Sequence, residues 1–128
     1  MNLLLDTVTF LWLLSDSPKL SEPVRRAFLD PDREVYLSSI SGWEIAIKNS
    51  LGRLPLPEPA EVFVPRMRKQ LSVRSLALNE ASTLQLGKLP VLHRDPFDRM
   101  LVCQAIEHGL TIATPDELVR RYPVRCLW

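Results

Sequence analysis

Residues 93–117, HRDPFDRMLVCQAIEHGLTIATPDE, predict a loop, a helix, a strand and a second loop, in that order. Asp95 before a proline is typical of a helix start, because aspartate caps the first turn and proline there loses no hydrogen bond. Gly109 suits the C-cap, where the backbone often turns left-handed. The apolar residues 110–114 then predict a short buried strand, which is followed by Asp116. The segment therefore indicates an α/β unit that ends in an acid.

The apolar face of the predicted helix begins with a carboxylate. Asp98 shares this face with Leu101, Val102, Ala105 and Ile106, which recur at helical spacing. A carboxylate on the side that packs toward a sheet is costly to desolvate unless a cation or hydrogen bonds compensate it. Asp98 is therefore a candidate for a functional site, although its place in the first turn also suits the helix dipole.

Strand and helix patterns alternate along the whole chain. The predicted strands are residues 2–5, 35–37, 73–78, 110–114 and 124–128. The predicted helices are residues 7–14, 21–29, 41–52, 58–71, 79–86 and 95–109, with a last helical turn at 117–121. We expect Thr7 to cap the first helix and Ser41 to open the third, and Pro65 predicts a kink or a break in the fourth. This alternation indicates an α/β domain with a mostly parallel sheet.

Composition limits the class of protein. A length of 128 residues suits a single domain, residues 1–128, and a net charge of +1 gives no overall basic field for nucleic acid. The apolar run from Phe10 to Leu14 is too short to span a membrane and lacks the flanks of a signal peptide. Two cysteines without a zinc-binding spacing indicate buried thiols in a reducing compartment. We therefore expect a cytoplasmic protein with no membrane partner.

Four acids occupy equivalent positions in the predicted fold. Asp6, Glu44, Asp98 and Asp116 each follow a strand or lie in the first turn of a helix. In a parallel sheet such positions converge on one edge, where like charges raise each other's pKa unless a cation neutralises them. A cluster of oxygen ligands suits Mg²⁺ or Mn²⁺, and such ions support the hydrolysis of phosphodiesters. The pattern therefore favours metal-dependent cleavage of a nucleic-acid backbone.

Each acid also has a purely structural explanation. Glu44 stands three residues after Ser41, as in a capping box, and is one turn before Lys48, with which it can pair. Asp116 can be a turn residue or cap the last helical turn. Asp6 is the hardest to explain in this way, because it ends an apolar strand and the next residue can cap the helix.

The histidines and one basic cluster carry weaker signals. We expect His93 and His108 to be surface residues, with His108 at a helix C-terminus that favours its cation. Four basic residues form either a solvated face or an RNA contact: Arg66, Arg68, Lys69 and Arg74.

Several motifs together resemble the PIN-domain family, in particular its VapC-type toxin ribonucleases. The motifs are LLLDT, SGWEIAIK followed by GRL, HRDPFDRML and TPDE, and the resemblance covers essentially the whole chain. It implies a three-layer fold in which a twisted, mostly parallel sheet lies between helices. It also implies that four acids bind Mg²⁺ or Mn²⁺ and cut RNA: Asp6, Glu44, Asp98 and Asp116. Thr114 matches a small hydroxyl residue often found in the last motif.

The resemblance also carries expectations about partners. Toxins of this family commonly form homodimers and are inhibited by a VapB-type antitoxin encoded beside them. Pro65 and Pro115 depart from the pattern, but neither replaces an acid. We therefore predict a metal-dependent endoribonuclease that is the toxin of a toxin–antitoxin pair.

Three other classes of protein share part of this pattern. A receiver domain would need a pair of acids after the first strand, where only Asp6 is present. A phosphatase of the haloacid-dehalogenase type would need a second aspartate at position 8, which is Val8. A non-catalytic PIN-like module that binds RNA or protein stays open as the alternative, although the four retained acids argue against it.

Overall fold

The computed structural model describes residues 1–128 and contains one five-stranded sheet. The strands are β1 (Leu3–Leu5), β2 (Val35–Ser38), β3 (Arg74–Leu76), β4 (Thr111–Ala113) and β5 (Cys126–Leu127). They lie in the order β3-β2-β1-β4-β5, and every neighbouring pair is parallel. The structure thus confirms the predicted α/β fold with a parallel sheet.

Six α-helices connect and cover the strands. They are α1 (Thr7–Leu14), α2 (Glu22–Leu29), α3 (Ser39–Ser50), α4 (Ala60–Gln70), α5 (Glu80–Leu84) and α6 (Pro96–His108). Two 3₁₀ turns follow α5 and β4, at Gln85–Lys88 and Val119–Arg121. None of these helices is long and apolar enough to cross a membrane.

The central strand β1 is buried on both faces of the sheet. Its three leucines are fully buried, and alternate side chains of a strand point to opposite faces. Leu3 and Leu5 belong to a core that includes Val24 of α2, whereas Leu4 belongs to a second core with Leu101 of α6. The result is three layers, in which the sheet separates two sets of helices.

The strand order reverses beside β1. The chain first places β2 and β3 on one side of β1 and then crosses to place β4 on the other side. Open parallel sheets bind ligands at such a reversal, outside the carboxyl ends of the strands. The backbone N–H of Asp6 still donates to the carbonyl of Ala113, at 3.2 Å, so the residues that follow β1 and β4 remain close. The fold therefore creates a crevice where Asp6 and the β4 loop meet.

The predicted ends of α6 are confirmed. The Oδ1 atom of Asp95 accepts the backbone N–H groups of Phe97 and Asp98, at 2.8 and 3.4 Å, and therefore caps the helix. Gly109 has φ 66°, the left-handed conformation expected at this position. In contrast, Pro65 does not break α4, which continues on both sides of it.

Two predicted helix caps were wrong. Ser38, not Ser41, caps α3, because its hydroxyl accepts the backbone N–H of Ile40 at 3.0 Å. Glu44 therefore lies in the second turn of α3 and cannot belong to a capping box. At α1 the cap is Asp6 rather than Thr7, which becomes the first helical residue. The helix α3 begins directly after its strand, and only the cap Asp6 separates α1 from β1.

Candidate active site

Asp6 forms the buried floor of a cleft at the crevice beside β1. Its Oδ1 atom accepts the backbone N–H of Thr9 at 2.8 Å, and the residue is only 5% exposed. Burial raises the pKa of Asp6 above its ordinary value, and the nearby charge of Asp116 adds to this effect. Hydrogen bonds from Thr114 and Thr9 oppose the shift but do not cancel it. Asp6 is thus a desolvated carboxylate that is held in a fixed orientation.

Asp98 reaches the same cleft from the first turn of α6. Burial is the main cause that raises its pKa to about 7, and the charges of Asp95, Asp6 and Glu44 raise it further. The nearby His93 lowers this pKa, but by less than these causes raise it. The ionised form of Asp98 is therefore disfavoured, and a bound cation would stabilise it.

Asp116 enters the cleft from the loop after β4. The Oδ1 atom of Asp116 accepts the backbone N–H of Leu118 at 2.8 Å, and its own N–H donates to the Thr114 hydroxyl at 3.0 Å. Burial raises the pKa of Asp116, but hydrogen bonds from His93 and from the Leu118 and Val119 amides outweigh it and lower the pKa overall. Asp116 therefore stays ionised more readily than Asp6 and Asp98.

Glu44 faces the cleft from α3, and both of its carboxylate oxygens already have partners. The Thr7 hydroxyl donates to Oε1 at 2.7 Å, and the Lys48 ammonium lies 2.5 Å from Oε2. The predicted pairing of Glu44 with Lys48 is therefore confirmed. The Glu44 side chain is 7% exposed and that of Lys48 is 49% exposed, so the pair extends from the interior to the solvent edge.

His93 is the site residue that the sequence did not reveal. It was expected at the surface, yet its side chain is only 14% exposed, with Nε2 at 2.8 Å from Asp116 Oδ2 and 3.1 Å from Asp98 Oδ2. The backbone N–H of Asp95 donates to Nδ1 at 3.1 Å, so Nδ1 must offer its lone pair and Nε2 carries the proton. His93 therefore acts as a hydrogen-bond donor between two carboxylates. His108, in contrast, is exposed as predicted.

A tertiary contact, not a local motif, places His93. The Tyr122 hydroxyl accepts the backbone N–H groups of Leu92 and His93, at 3.1 and 2.9 Å. Tyr122 itself is buried and lies 29 residues further along the chain than His93. The only sequence signal was the position of His93 two residues before the Asp95 cap, where the ring can accept the cap's own N–H.

The four predicted acids line one cleft of about 320 Å³. Its lining residues are Asp6, Thr7, Val8, Glu44, Lys48, Asp95, Asp98, Pro115 and Asp116. The tightest group is formed by His93, Asp98 and Asp116, in which an imidazole nitrogen and one oxygen of each carboxylate lie within 4.8 Å of one another. Asp6 and Glu44 lie outside this group but in the same cleft. A larger hollow of about 470 Å³ near Tyr122 contains no acid and offers no comparable chemistry.

The donor set fits a hard divalent cation. Carboxylates from four separate segments face one volume, and burial together with the neighbouring acids raises the pKa of Asp98. Mg²⁺ and Mn²⁺ favour such oxygen ligands. Because Nε2 of His93 carries a proton, this ring offers the cleft a donor rather than a metal-binding lone pair.

The fold and the site together define a class of protein: an α/β domain with an acidic cleft where the order of a parallel sheet reverses. Residues 3–124 match the PIN domain family, and the chain belongs to that family. It is 36% identical over 102 residues to Ribonuclease VapC16 of Mycobacterium tuberculosis, covering 77% of this chain and 65% of that protein. It is 26% identical over 122 residues to Ribonuclease VapC22 of the same organism, covering 94% and 92%.

A solved structure supports the same fold. One chain of the crystal structure of VapBC2 from Rickettsia felis, bound to a DNA fragment from its promoter, matches with a TM-score of 0.74. The match covers 100% of this chain and 99% of that chain, at 18% sequence identity. The arrangement of strands and helices is therefore shared across a wide range of sequence.

Proposed function

We propose that this protein is an Mg²⁺- or Mn²⁺-dependent endoribonuclease. The observation that carries the proposal is the cleft itself, in which acids from four separate segments converge at the reversal of the sheet. Burial raises the pKa of Asp98 to about 7, and the charges of the neighbouring acids contribute to this shift. A site of this kind is unfavourable without a cation, so the folded chain is prepared to bind one.

The acids have different tasks in this proposal. Asp6, Asp98 and Asp116 hold the metal, and Glu44 completes the acidic wall. When bound, the metal supplies the Lewis acidity that activates water and stabilises the leaving oxygen of an RNA phosphodiester. His93 keeps the carboxylates of Asp98 and Asp116 together by donating a hydrogen bond to them.

We further propose that the protein is the toxin of a toxin–antitoxin pair. Two of its relatives are named as ribonucleases, and the matched crystal structure is that of a VapBC complex. The alignment spans only 65% of VapC16, so its activity and partners come to this chain as part of the proposal. The proposal includes inhibition by a cognate VapB-type antitoxin, assembly as a homodimer and action in the cytoplasm.

The charge of the cleft also suggests how an antitoxin inhibits. A basic side chain inserted among the acids would replace the metal, and arginine suits this task because its planar fork matches carboxylates. We therefore expect the complex to be inactive even with added Mg²⁺. A complex that cuts RNA as fast as the free protein would contradict inhibition at this site.

The proposal is tested by incubating purified protein with RNA in Mg²⁺, in Mn²⁺ and in excess EDTA. Asp98→Asn, purified in parallel, reveals any contaminating nuclease. We expect internal cleavage products with either metal, none with EDTA, and none from the variant. If wild-type protein binds RNA but does not cut it under any of these conditions, the chain is a binding module and the proposal is wrong.

A further inference from the structure

Lys48 is the one cationic side chain among the residues that line the acidic cleft. The other charged lining residues are all acids: Asp6, Glu44, Asp95, Asp98 and Asp116. Lys48 lies one helical turn after Glu44 on α3, and its side chain is half exposed at the edge of the cleft. Lys48 therefore lies between the buried acids and the solvent, from which a substrate would approach.

The Lys48 ammonium is held in place by Glu44, which lies deeper in the protein. Glu44 is almost fully buried, and its two oxygens are divided between the Thr7 hydroxyl and the Lys48 ammonium. The Thr7 hydroxyl oxygen also lies 3.0 Å from the Ser41 hydroxyl, which can donate to it. An ordinary surface pair leaves both partners mobile in water, and such pairs contribute little to stability. Here Glu44 is fixed by packing, and its contact restricts the position of the Lys48 ammonium.

An anionic substrate needs a cation at this edge. Each RNA phosphate carries a negative charge, and five acids line the cleft that the RNA strand must approach. Lysine is a compact point charge with three donors and commonly binds phosphate. We propose that Lys48 binds a backbone phosphate of the RNA and that Glu44 is the positioning residue that holds its ammonium over the cleft. This inference rests on the proposed ribonuclease function.

The arginines of the basic cluster noted in the sequence do not substitute for Lys48. Arg66 pairs with Glu58, Arg74 pairs with Glu34, and the Arg68 guanidinium donates to the carbonyl of Val73 at 2.9 Å. None of these arginines lines the cleft. They can contact RNA only away from the acids, whereas Lys48 lies among them.

The test measures the salt dependence of RNA binding. Lys48→Met and Lys48→Arg are made in the Asp98→Asn background, and binding of labelled single-stranded RNA is followed by fluorescence anisotropy with Mg²⁺ present. Lys19→Met is the matched control, because Lys19 follows the far end of α1 and lies over the Trp12 ring. We expect Lys48→Met to bind roughly tenfold more weakly, as for the loss of one hydrogen bond to a charged group.

The slope of log Kd against log salt distinguishes a phosphate contact from a structural role. Loss of one contact to single-stranded RNA should reduce the slope by about 0.7. Lys48→Arg should keep the slope, and Lys19→Met should behave as the parent protein. If Lys48→Met keeps the parent slope, or changes no more than Lys19→Met, Lys48 binds no phosphate and the inference is wrong.

Two further measurements complete the test. In the otherwise wild-type protein, Mn²⁺ affinity from electron paramagnetic resonance should not fall in Lys48→Met; a fall would make Lys48 a support of the acids instead. Combining Lys48→Met with Glu44→Gln should give non-additive changes in RNA affinity, whereas additive changes would remove Glu44 as the positioning residue. These binding results do not depend on turnover. If wild-type protein fails to cut RNA while Lys48→Met still reduces the slope of log Kd against log salt, only the proposed function is wrong.

Discussion

The two walls of the cleft treat their acids differently. On the α3 wall, Glu44 is neutralised within the protein, because its oxygens bind the Thr7 hydroxyl and the Lys48 ammonium. On the opposite wall, Asp98 and Asp116 share a single imidazole donor, and the pKa of Asp98 is raised to about 7 by burial and by the neighbouring acids. The difference indicates which acids the fold leaves available for a cation.

This contrast suggests a division of labour. A carboxylate with a lysine one turn away is stable without metal, whereas a desolvated carboxylate surrounded by acids is not. We therefore expect substitutions on the α6 and β4 side, and at Asp6 on the floor, to change metal binding. Substitutions on the α3 side should change RNA binding instead.

The largest expected effect is on catalysis, at Asp98. Removing one proposed ligand of the metal should reduce single-turnover cleavage by more than about 100-fold, the upper range for residues that only support a ligand. Glu107→Gln is the matched control, because Glu107 lies exposed near the other end of α6. Cleavage rates at saturating Mg²⁺ measure the effect. Wild-type rates in Asp98→Asn would remove Asp98 from the site.

The next effect concerns stabilisation by metal. Mg²⁺ or Mn²⁺ at 100 times its Kd should stabilise the native state by about 2.7 kcal/mol, because it binds the folded cleft preferentially. The resulting rise in Tm should shrink in Asp6→Asn and persist in Lys48→Met, because Asp6 is a proposed metal ligand and Lys48 is not. Calorimetry with a metal titration provides the measurement. An equal rise in wild-type protein and Asp6→Asn would mean that Asp6 is not a ligand.

The comparison also shows which parts of the site were predictable from sequence. The ends of α6 were predictable, because Asp95, the following proline and Gly109 are local signals that act within one helix. The convergence of four acids was predictable, because the ends of parallel strands meet at one edge. These rules need only the order of the elements and not the details of packing.

The rest depends on contacts between distant residues. His93 enters the site because Tyr122 binds its backbone, and no pattern near position 93 encodes that contact. The caps of α1 and α3 were misplaced because no loop separates either helix from its strand, so the cap is the last strand residue at α3 and the residue directly after the strand at α1. Asp6 thus combines a structural task with its place in the cleft.

A further effect is expected in the pH dependence of stability without metal. The pKa of Asp98 is about 7 in the folded protein, against 3.8 for an unperturbed aspartate. Between these values the folded state keeps a proton that the unfolded state has lost, so the free energy of unfolding falls as pH rises. In EDTA, Asp98→Asn should therefore lose less stability than wild-type protein from acidic to neutral pH. Parallel curves of Tm against pH would contradict the raised pKa.

The smallest effect separates Asp95 from Asp98, which lie three residues apart in one turn. Asp95 also lines the cleft, but its Oδ1 is engaged as the cap of α6, so its main task is structural. Asp95→Ala should cost about 1 kcal/mol of stability, as is typical for a lost cap, and should keep measurable turnover.

Asp95→Asn tests the same assignment without disturbing the helix. Asparagine is itself a good cap, so this variant should keep both its Tm and most of its cleavage rate, whereas Asp98→Asn loses cleavage without losing stability. The charge of Asp95 also contributes to the raised pKa of Asp98, so its removal should make the Asp98 carboxylate easier to ionise. Tm and single-turnover rates of the three variants decide the matter. If Asp95→Asn is as inactive as Asp98→Asn, both acids serve the metal and the helix cap is only a secondary task of Asp95.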